Sequence, residues 1–244
     1  MTVSCENCNL FALPAEKGIL NRTNRPGGIE LTKKGLDLCD FPRHARILDI
    51  ACGLGATLNY LNTRFNSNAI GLDRSRKILF SALENLPGLN LIMGDSQCLP
   101  LATGSMNGVL MECALSLSYN SLETLREIRR ILLPGGKAVI TDIYLREMND
   151  LNNMKLLTSN CCVSGAMNRE KIYQQLEAVG FKIELWEDQT ILLKNWMAEN
   201  IFKMGSAFEF FRNFTGGSND RELVNSFSRK VKLGYFLTIL RNES

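Results

Sequence analysis

Residues 47–57 read Ile47-Leu48-Asp49-Ile50-Ala51-Cys52-Gly53-Leu54-Gly55-Ala56-Thr57. An apolar run carries an acid near its end, and a glycine turn then opens directly into a helical pattern. A parallel α/β sheet builds a nucleotide-cofactor pocket in this way, at the carboxyl end of its first strand. Gly53 and Gly55 let the backbone turn tightly and approach a ligand that any Cβ would hold off. The acid narrows the choice of ligand. A dinucleotide site uses a third glycine for close helix–strand packing and sets a pyrophosphate on the helix N-terminus. Here the third position is Leu58, and Asp49 stands four residues before the first glycine. A carboxylate there repels a pyrophosphate and suits a cofactor that carries an ammonium group.

The stretches that follow agree with this reading. Asn68 to Asp73 is a second short apolar strand ending in an acid, and an acid there can accept ribose hydroxyls. Leu89 to Met93 is a third strand, followed by Gly94-Asp95-Ser96, with Asp95 placed to accept from an adenine amino group. Gly108 to Ala114 reads as a fourth strand. Leu125 to Leu133 has helical spacing and is stopped by Pro134-Gly135-Gly136 before a fifth strand, Lys137 to Asp142. Each feature also has a bland reading: the glycines form a mere turn, and Asp73 and Asp95 are helix N-caps. Their fixed order at successive strand ends favours a cofactor site.

The chain here resembles the class I S-adenosylmethionine-dependent methyltransferases, of the small-molecule type that includes ubiquinone-biosynthesis and arsenite methyltransferases. The resemblance is carried by Leu48-Asp49-Ile50-Ala51-Cys52-Gly53-Leu54-Gly55, Asp73, Gly94-Asp95-Ser96 and Leu132-Leu133-Pro134-Gly135-Gly136-Lys137, over about residues 44–145. It implies an α/β fold with a doubly wound, mostly parallel seven-stranded sheet, Rossmann-like, whose last strand is antiparallel. It further implies that Asp49 and the Gly53 and Gly55 backbone hold the methionine end of S-adenosylmethionine. Asp73 would take the ribose, and Asp95 with Ser96 the adenine. Cys52, Arg74 and Glu112 border the same site, and S-adenosylhomocysteine is the implied product.

Composition sets bounds. At 244 residues and 45% hydrophobic, the chain can bury one full α/β core with room for an accessory element. A net charge of +3 with scattered basic residues gives no nucleic-acid surface. No apolar stretch reaches spanning length and no apolar leader is apparent, so a soluble, cytoplasmic protein without membrane partners is expected. The eight cysteines are expected as reduced thiols, because a secreted disulfide framework is shorter and loop-rich.

Four segments are expected: an N-terminal extension or lid (1–43), the cofactor-binding core (44–190), a helical insertion (191–233) and the last strand (234–244). In the extension, Thr32 is a candidate N-cap for a helix from Lys33 to Cys39. Such a segment lies over the cofactor in the resembled family and would exclude water. Arg25 either contacts an acidic group on a substrate or is a solvated loop arginine, and the solvated reading is favoured. Asn168 to Val179 is an amphipathic helix ended by Gly180, followed by a strand from Phe181 to Glu187. In the common fold the partner strand follows closely; here the expected last strand, Gly234 to Leu240, comes more than forty residues later. Between them stand Trp196, Met197, Ile201, Phe202, Met204, Phe208, Phe210, Phe211 and Phe214, with a second short helix after Asn219. This apolar stretch either packs on the sheet or a second subunit, or roofs the substrate; packing is favoured. A homodimer follows if a second subunit is what it covers.

Methyl transfer by in-line displacement needs alignment and a dry cage more than acid–base help. His44, the only histidine, precedes the first strand, at the end away from the active site, and is given no role. Glu112 is the nearest candidate base, although contact with the cofactor or solvation is preferred for it. Candidate acceptor contacts are Arg25, Cys113, Tyr119, Asn120, Cys161, Cys162 and Trp196. The acceptor is expected to be a small organic molecule. The alternatives are a cysteine-assisted metalloid methyltransferase, drawing on Cys5, Cys8, Cys39, Cys113, Cys161 and Cys162, and a non-catalytic cofactor-binding or assembly protein. Cys5-x-x-Cys8 with a further pair would suit zinc, but a lone pair near one end is a weak signal and no metal is expected.

Overall fold

Alternating apolar runs and amphipathic helices build a seven-stranded sheet with the order β3-β2-β1-β4-β5-β7-β6. The computed structural model describes residues 23–64, 67–147, 162–215, 217 and 219–243. Cys5, Cys8 and Cys161 lie outside the described residues. The strands are β1 (Arg46–Ile50), β2 (Asn68–Asp73), β3 (Leu91–Met93), β4 (Met106–Glu112), β5 (Leu132–Leu145), β6 (Phe181–Asp188) and β7 (Leu233–Asn242). β1 to β5 are parallel, and β7 runs antiparallel between β5 and β6. The antiparallel last strand is therefore as expected, and the long interval before it does not prevent its pairing with β6.

One face of the sheet carries α1 (Gly28–Cys39), α2 (Ala56–Arg64), α3 (Arg76–Asn85) and the insertion helices α6 (Thr190–Met204), α7 (Ala207–Phe214) and α8 (Arg221–Lys230). The other carries α4 (Ser121–Ile131) and α5 (Arg169–Val179). Side chains alternate along each strand to supply both layers: Ile47 belongs to the first core, and Leu48 and Ile50 to the second. Several helix ends follow from single residues. Asn120, Asn168 and Ser206 each accept a backbone N–H as N-caps, and Gly180 closes α5 in the left-handed conformation (φ 87°).

Of the boundaries that differ from the sequence reading, two bear on how the helices meet the sheet. α1 begins at Gly28, a turn before Lys33, so Thr32 is a buried helical residue and no N-cap; Gly27 takes the cap position. α1 lies tightly on the sheet, where a Cβ at Gly35 would stand 2.7 Å from Val139 Cγ1. β5 begins at Leu132, directly after α4, and absorbs Pro134-Gly135-Gly136 into its first residues. No helix among the described residues is long and apolar enough to cross a membrane.

Candidate active site

The order of strands reverses between β1 and β4, where open α/β sheets hold ligands beyond the strands' carboxyl ends. Asp49 in β1 is 3% exposed, and its Oδ2 has no hydrogen-bond partner among the described residues. Burial and then the charge of Glu112 hold its carboxyl well above the usual carboxylate range, against the pull of Arg25. A buried carboxyl oxygen without a donor is costly, and it marks a place prepared for a donor or a cation.

The loop after β1 is shaped for close approach. Ala51 (φ 58°), Gly53 (φ 55°) and Gly55 (φ 82°) all take left-handed backbone conformations, and a non-glycine residue held there stores strain. A Cβ at Gly55 would stand 2.4 Å from Leu89 Cδ1, whereas one at Gly53 would meet nothing within 4 Å. Among the described residues, open space thus lies before Gly53. The Gly53 N–H donates to Asp73 Oδ2 at 3.1 Å and the Ser75 N–H to Asp73 Oδ1 at 2.9 Å, which ties the loop to the end of β2. Asp95 is exposed and accepts from the Gln97 backbone and side chain at 2.9 and 3.1 Å. Ser96 Oγ lies 3.1 Å from Thr124 Oγ1.

Leu58 occupies the place of a third glycine without pushing α2 off the sheet. The space comes from Gly71 on β2, where a Cβ would lie 2.3 Å from Leu58 Cδ1 and 2.7 Å from Cys52 Sγ. The close-packing glycine has moved from the helix to the neighbouring strand. Cys52 is drawn into this packing, and its thiol, raised by burial and by Asp49 and Asp73, faces Gly71.

Arg25 corrects the sequence reading most sharply. It is no solvated loop residue: its Nη2 donates to Glu112 Oε2 at 2.7 Å, Thr32 Oγ1 at 2.5 Å and Thr57 Oγ1 at 3.1 Å. Thr32 and Thr57 donate in turn to the two Glu112 oxygens at 2.7 and 2.9 Å. Burial alone would lower the Arg25 pKa, but the charge of Glu112 and its neighbours raises it on balance. Glu112 is fully engaged in this buried pair, which removes it as a free general base. Thr32 and Thr57 were missed as site residues, since their partners lie 80 and 55 positions along the chain.

Beyond Glu112, Cys113 turns out of β4 in the left-handed conformation (φ 54°). Its Sγ lies 2.9 Å from Tyr235 Oη, which lies 3.1 Å from Thr141 Oγ1. Burial pushes the Cys113 thiol far up, so it is held neutral. Cys113, Pro26, Asp142, Cys162, Trp196 and Phe214 line a cavity with room for about one water molecule. Trp196 donates through Nε1 to Asn24 Oδ1 at 3.3 Å. Arg74, a cofactor candidate next to Asp73, is exposed. Of the other acceptor candidates, Tyr119 is 88% exposed and Asn120 spends its side chain capping α4. Neither Tyr119 nor Asn120 lines the cavity.

A family profile described as a methyltransferase domain matches residues 42–186. The chain belongs to this family, the class I S-adenosylmethionine-dependent methyltransferases. Phthiotriol/phenolphthiotriol dimycocerosates methyltransferase 1 of Mycobacterium ulcerans is 35% identical over 109 residues, 43% of this chain and 40% of the relative. Arsenite methyltransferase of Halobacterium salinarum is 24% identical over 164 residues, 63% of this chain and 42% of the relative. Among solved structures, Haemonchus contortus phosphoethanolamine N-methyltransferase 2 in complex with S-adenosyl-L-methionine matches with a TM-score of 0.70 at 18% identity. That match covers 90% of this chain and 54% of that one, and at this identity it speaks for the fold alone. The chain spans from 24% to 50% of the length of the first four curated relatives.

Proposed function

We propose that the protein transfers a methyl group from S-adenosylmethionine to a small-molecule acceptor. The observation that carries this reading is the buried Asp49 Oδ2, which has no hydrogen-bond donor among the described residues, together with the open space these leave at Gly53. An ammonium group fits that carboxyl, and the glycine loop admits a ligand where a side chain would block it. When bound, the cofactor supplies an electrophilic methyl carbon on a sulfonium. Asp49 would hold the amino end, the strapped Asp73 would accept from the ribose, and Asp95 with Ser96 would border the adenine. The contacts of Arg25 with Glu112 and Thr57 tie residues 23–27 to the end of β4 and the start of α2, and would help to close this region to water. The acceptor would approach beside Cys113 and Trp196, where Leu193, Trp196 and Phe214 of the insertion form part of the wall, and the one-water cavity there must widen to admit it.

A second acceptor class is favoured by one observation: two thiols, Cys113 and Cys162, line the same cavity. A soft, thiol-seeking acceptor such as arsenite would be held by such a pair once the one-water cavity widens to admit it. Arsenite turnover that survived both Cys113→Ser and Cys162→Ser would overturn this version.

The test is isothermal titration with S-adenosylmethionine and S-adenosylhomocysteine, with NADH as control. Micromolar binding of the first two and none of the third is expected. Burial and the charge of Glu112 push the Asp49 carboxyl up, and an ammonium group bound against it would pull it back down. Binding should therefore release a proton and weaken as pH falls. Titration in buffers of different ionisation heat reads the release, which Asp49→Asn should abolish. Asp73→Ala should cost about 1.5–3 kcal/mol of binding. Binding and proton release unchanged in Asp49→Asn would overturn the donor site.

A further inference from the structure

At the other end of the sheet, where the parallel strands begin, lies a groove of about 450 Å³, within the size range of small-molecule sites. One helix, α4, lines it with Arg126, Arg129 and Arg130, and Leu132, Pro134 and Val179 supply apolar walls. The three guanidinium groups are not equivalent. Arg130 is fully committed: it pairs with Glu127 at 2.6 Å and donates to the Leu99 and Leu101 carbonyls at 3.0 and 2.8 Å. Arg126 pairs with Glu123 at 2.9 Å. Arg129 forms no ion pair among the described residues, and its Nε is buried without a hydrogen-bond partner.

Arg129 is nevertheless held in place. A Cβ at Gly180 would stand 3.3 Å from its Cζ, so the guanidinium packs flat against the glycine that ends α5. The carboxyl end of that helix offers only a partial negative charge. Two carboxylates thus face three guanidinium groups, and the surplus charge is the one that is fixed, partly desolvated and turned toward the groove. A planar guanidinium so placed matches the paired oxygens of a phosphate or carboxylate.

We infer that this groove is a binding site for a small organic anion, with Arg129 as its principal contact and the phosphate or carboxylate as the recognised group. Leu132, Pro134 and Val179 would cover the ligand's apolar body. The site is independent of the donor-site reading, since it lies at the opposite ends of the strands.

The test is titration of the whole protein with inorganic phosphate and, separately, with citrate, at constant ionic strength set by chloride. Saturable binding of phosphate alone identifies a phosphate site, and of citrate alone a carboxylate site; either supports the inference, as does binding of both. Arg129→Gln keeps the apolar stem and removes the charge, and should weaken binding by about tenfold or more. Arg129→Lys keeps a point charge without the fork and should fall between. Both variants are compared at a native melting midpoint. If neither anion binds beyond chloride, or if Arg129→Gln binds as tightly as the natural protein, the inference fails.

Discussion

Asp142, at the carboxyl end of β5, has every expected partner and still titrates out of place. It accepts from the Ser116 N–H and hydroxyl at 2.8 Å each and from the Ile143 N–H at 2.7 Å. Burial nevertheless raises it from 3.8 to about 6, against the opposing effect of those hydrogen bonds. The folded protein therefore binds this proton more readily than the unfolded chain. Its stabilising contribution is fully present below pH 3.8 and is lost as pH rises through about 6. Between pH 5 and pH 7.5 the stability of the natural protein relative to Asp142→Asn should fall by about 1–1.5 kcal/mol. Urea midpoints at the two pH values measure this, and an unchanged difference would mean an ordinary carboxylate. The acids Asp49 and Asp73 stood out because each lies at or near the end of an apolar run with a glycine within four residues. Arg25 did not, because its counter-ion stands on β4 and the chain around it holds no hint of that pairing.

At the level of elements, the fit of α2 on β1 and β2 depends on an exchange between two positions. A glycine at 58 would let the helix approach; here Leu58 is fully buried and Gly71 opposite it makes the room. Gly71→Ala should force Leu58, Cys52 and Leu91 to shift, with a cost of about 1–3 kcal/mol. Leu58→Ala should cost about 2–5 kcal/mol by leaving a cavity. Combined, the pair should cost less than the sum, since the new methyl enters the space that leucine leaves. Thermal or urea unfolding of the four proteins checks this, and strict additivity would show that the two side chains do not meet. The strands and α5 were readable from periodicity and from stop residues such as Gly180. The start of α1 was misjudged because Thr32 looks like a cap locally, while its hydroxyl is taken by Glu112 across the sheet. The strand-side glycine escaped notice because its partner becomes evident only when α2 lies on β2.

Across the whole molecule, the insertion poses the question of whether it is a separate cover or part of the core. Its rings answer as one body with the sheet. Trp196 meets Phe210 at 5.8 Å, Phe210 stacks with Phe214 at 5.5 Å, and Phe211 meets Phe227 at 6.4 Å. Trp196, Phe210, Phe214 and Phe227 are buried in the same cluster as Val139 and Ile143 of β5 and Tyr235 and Leu237 of β7. Packing, the favoured expectation, is therefore what these side chains do, although Trp196 and Phe214 also wall the cavity at Cys113. β7 follows the insertion directly and fills the place between β5 and β6, so neither can form its full set of contacts without the other. The protein should consequently unfold in a single step, with no early loss of the insertion. Its two tryptophans report on the two parts: Trp186 stacks on Phe236 at 4.3 Å within the sheet, and Trp196 lies in α6. In Trp186→Phe, Trp196 fluorescence should follow the same urea transition as far-UV circular dichroism, and in Trp196→Phe the same should hold for Trp186. A Trp196 transition that precedes the circular dichroism change would mean a separately melting unit, and the insertion would then be a cover able to open while the sheet stays folded.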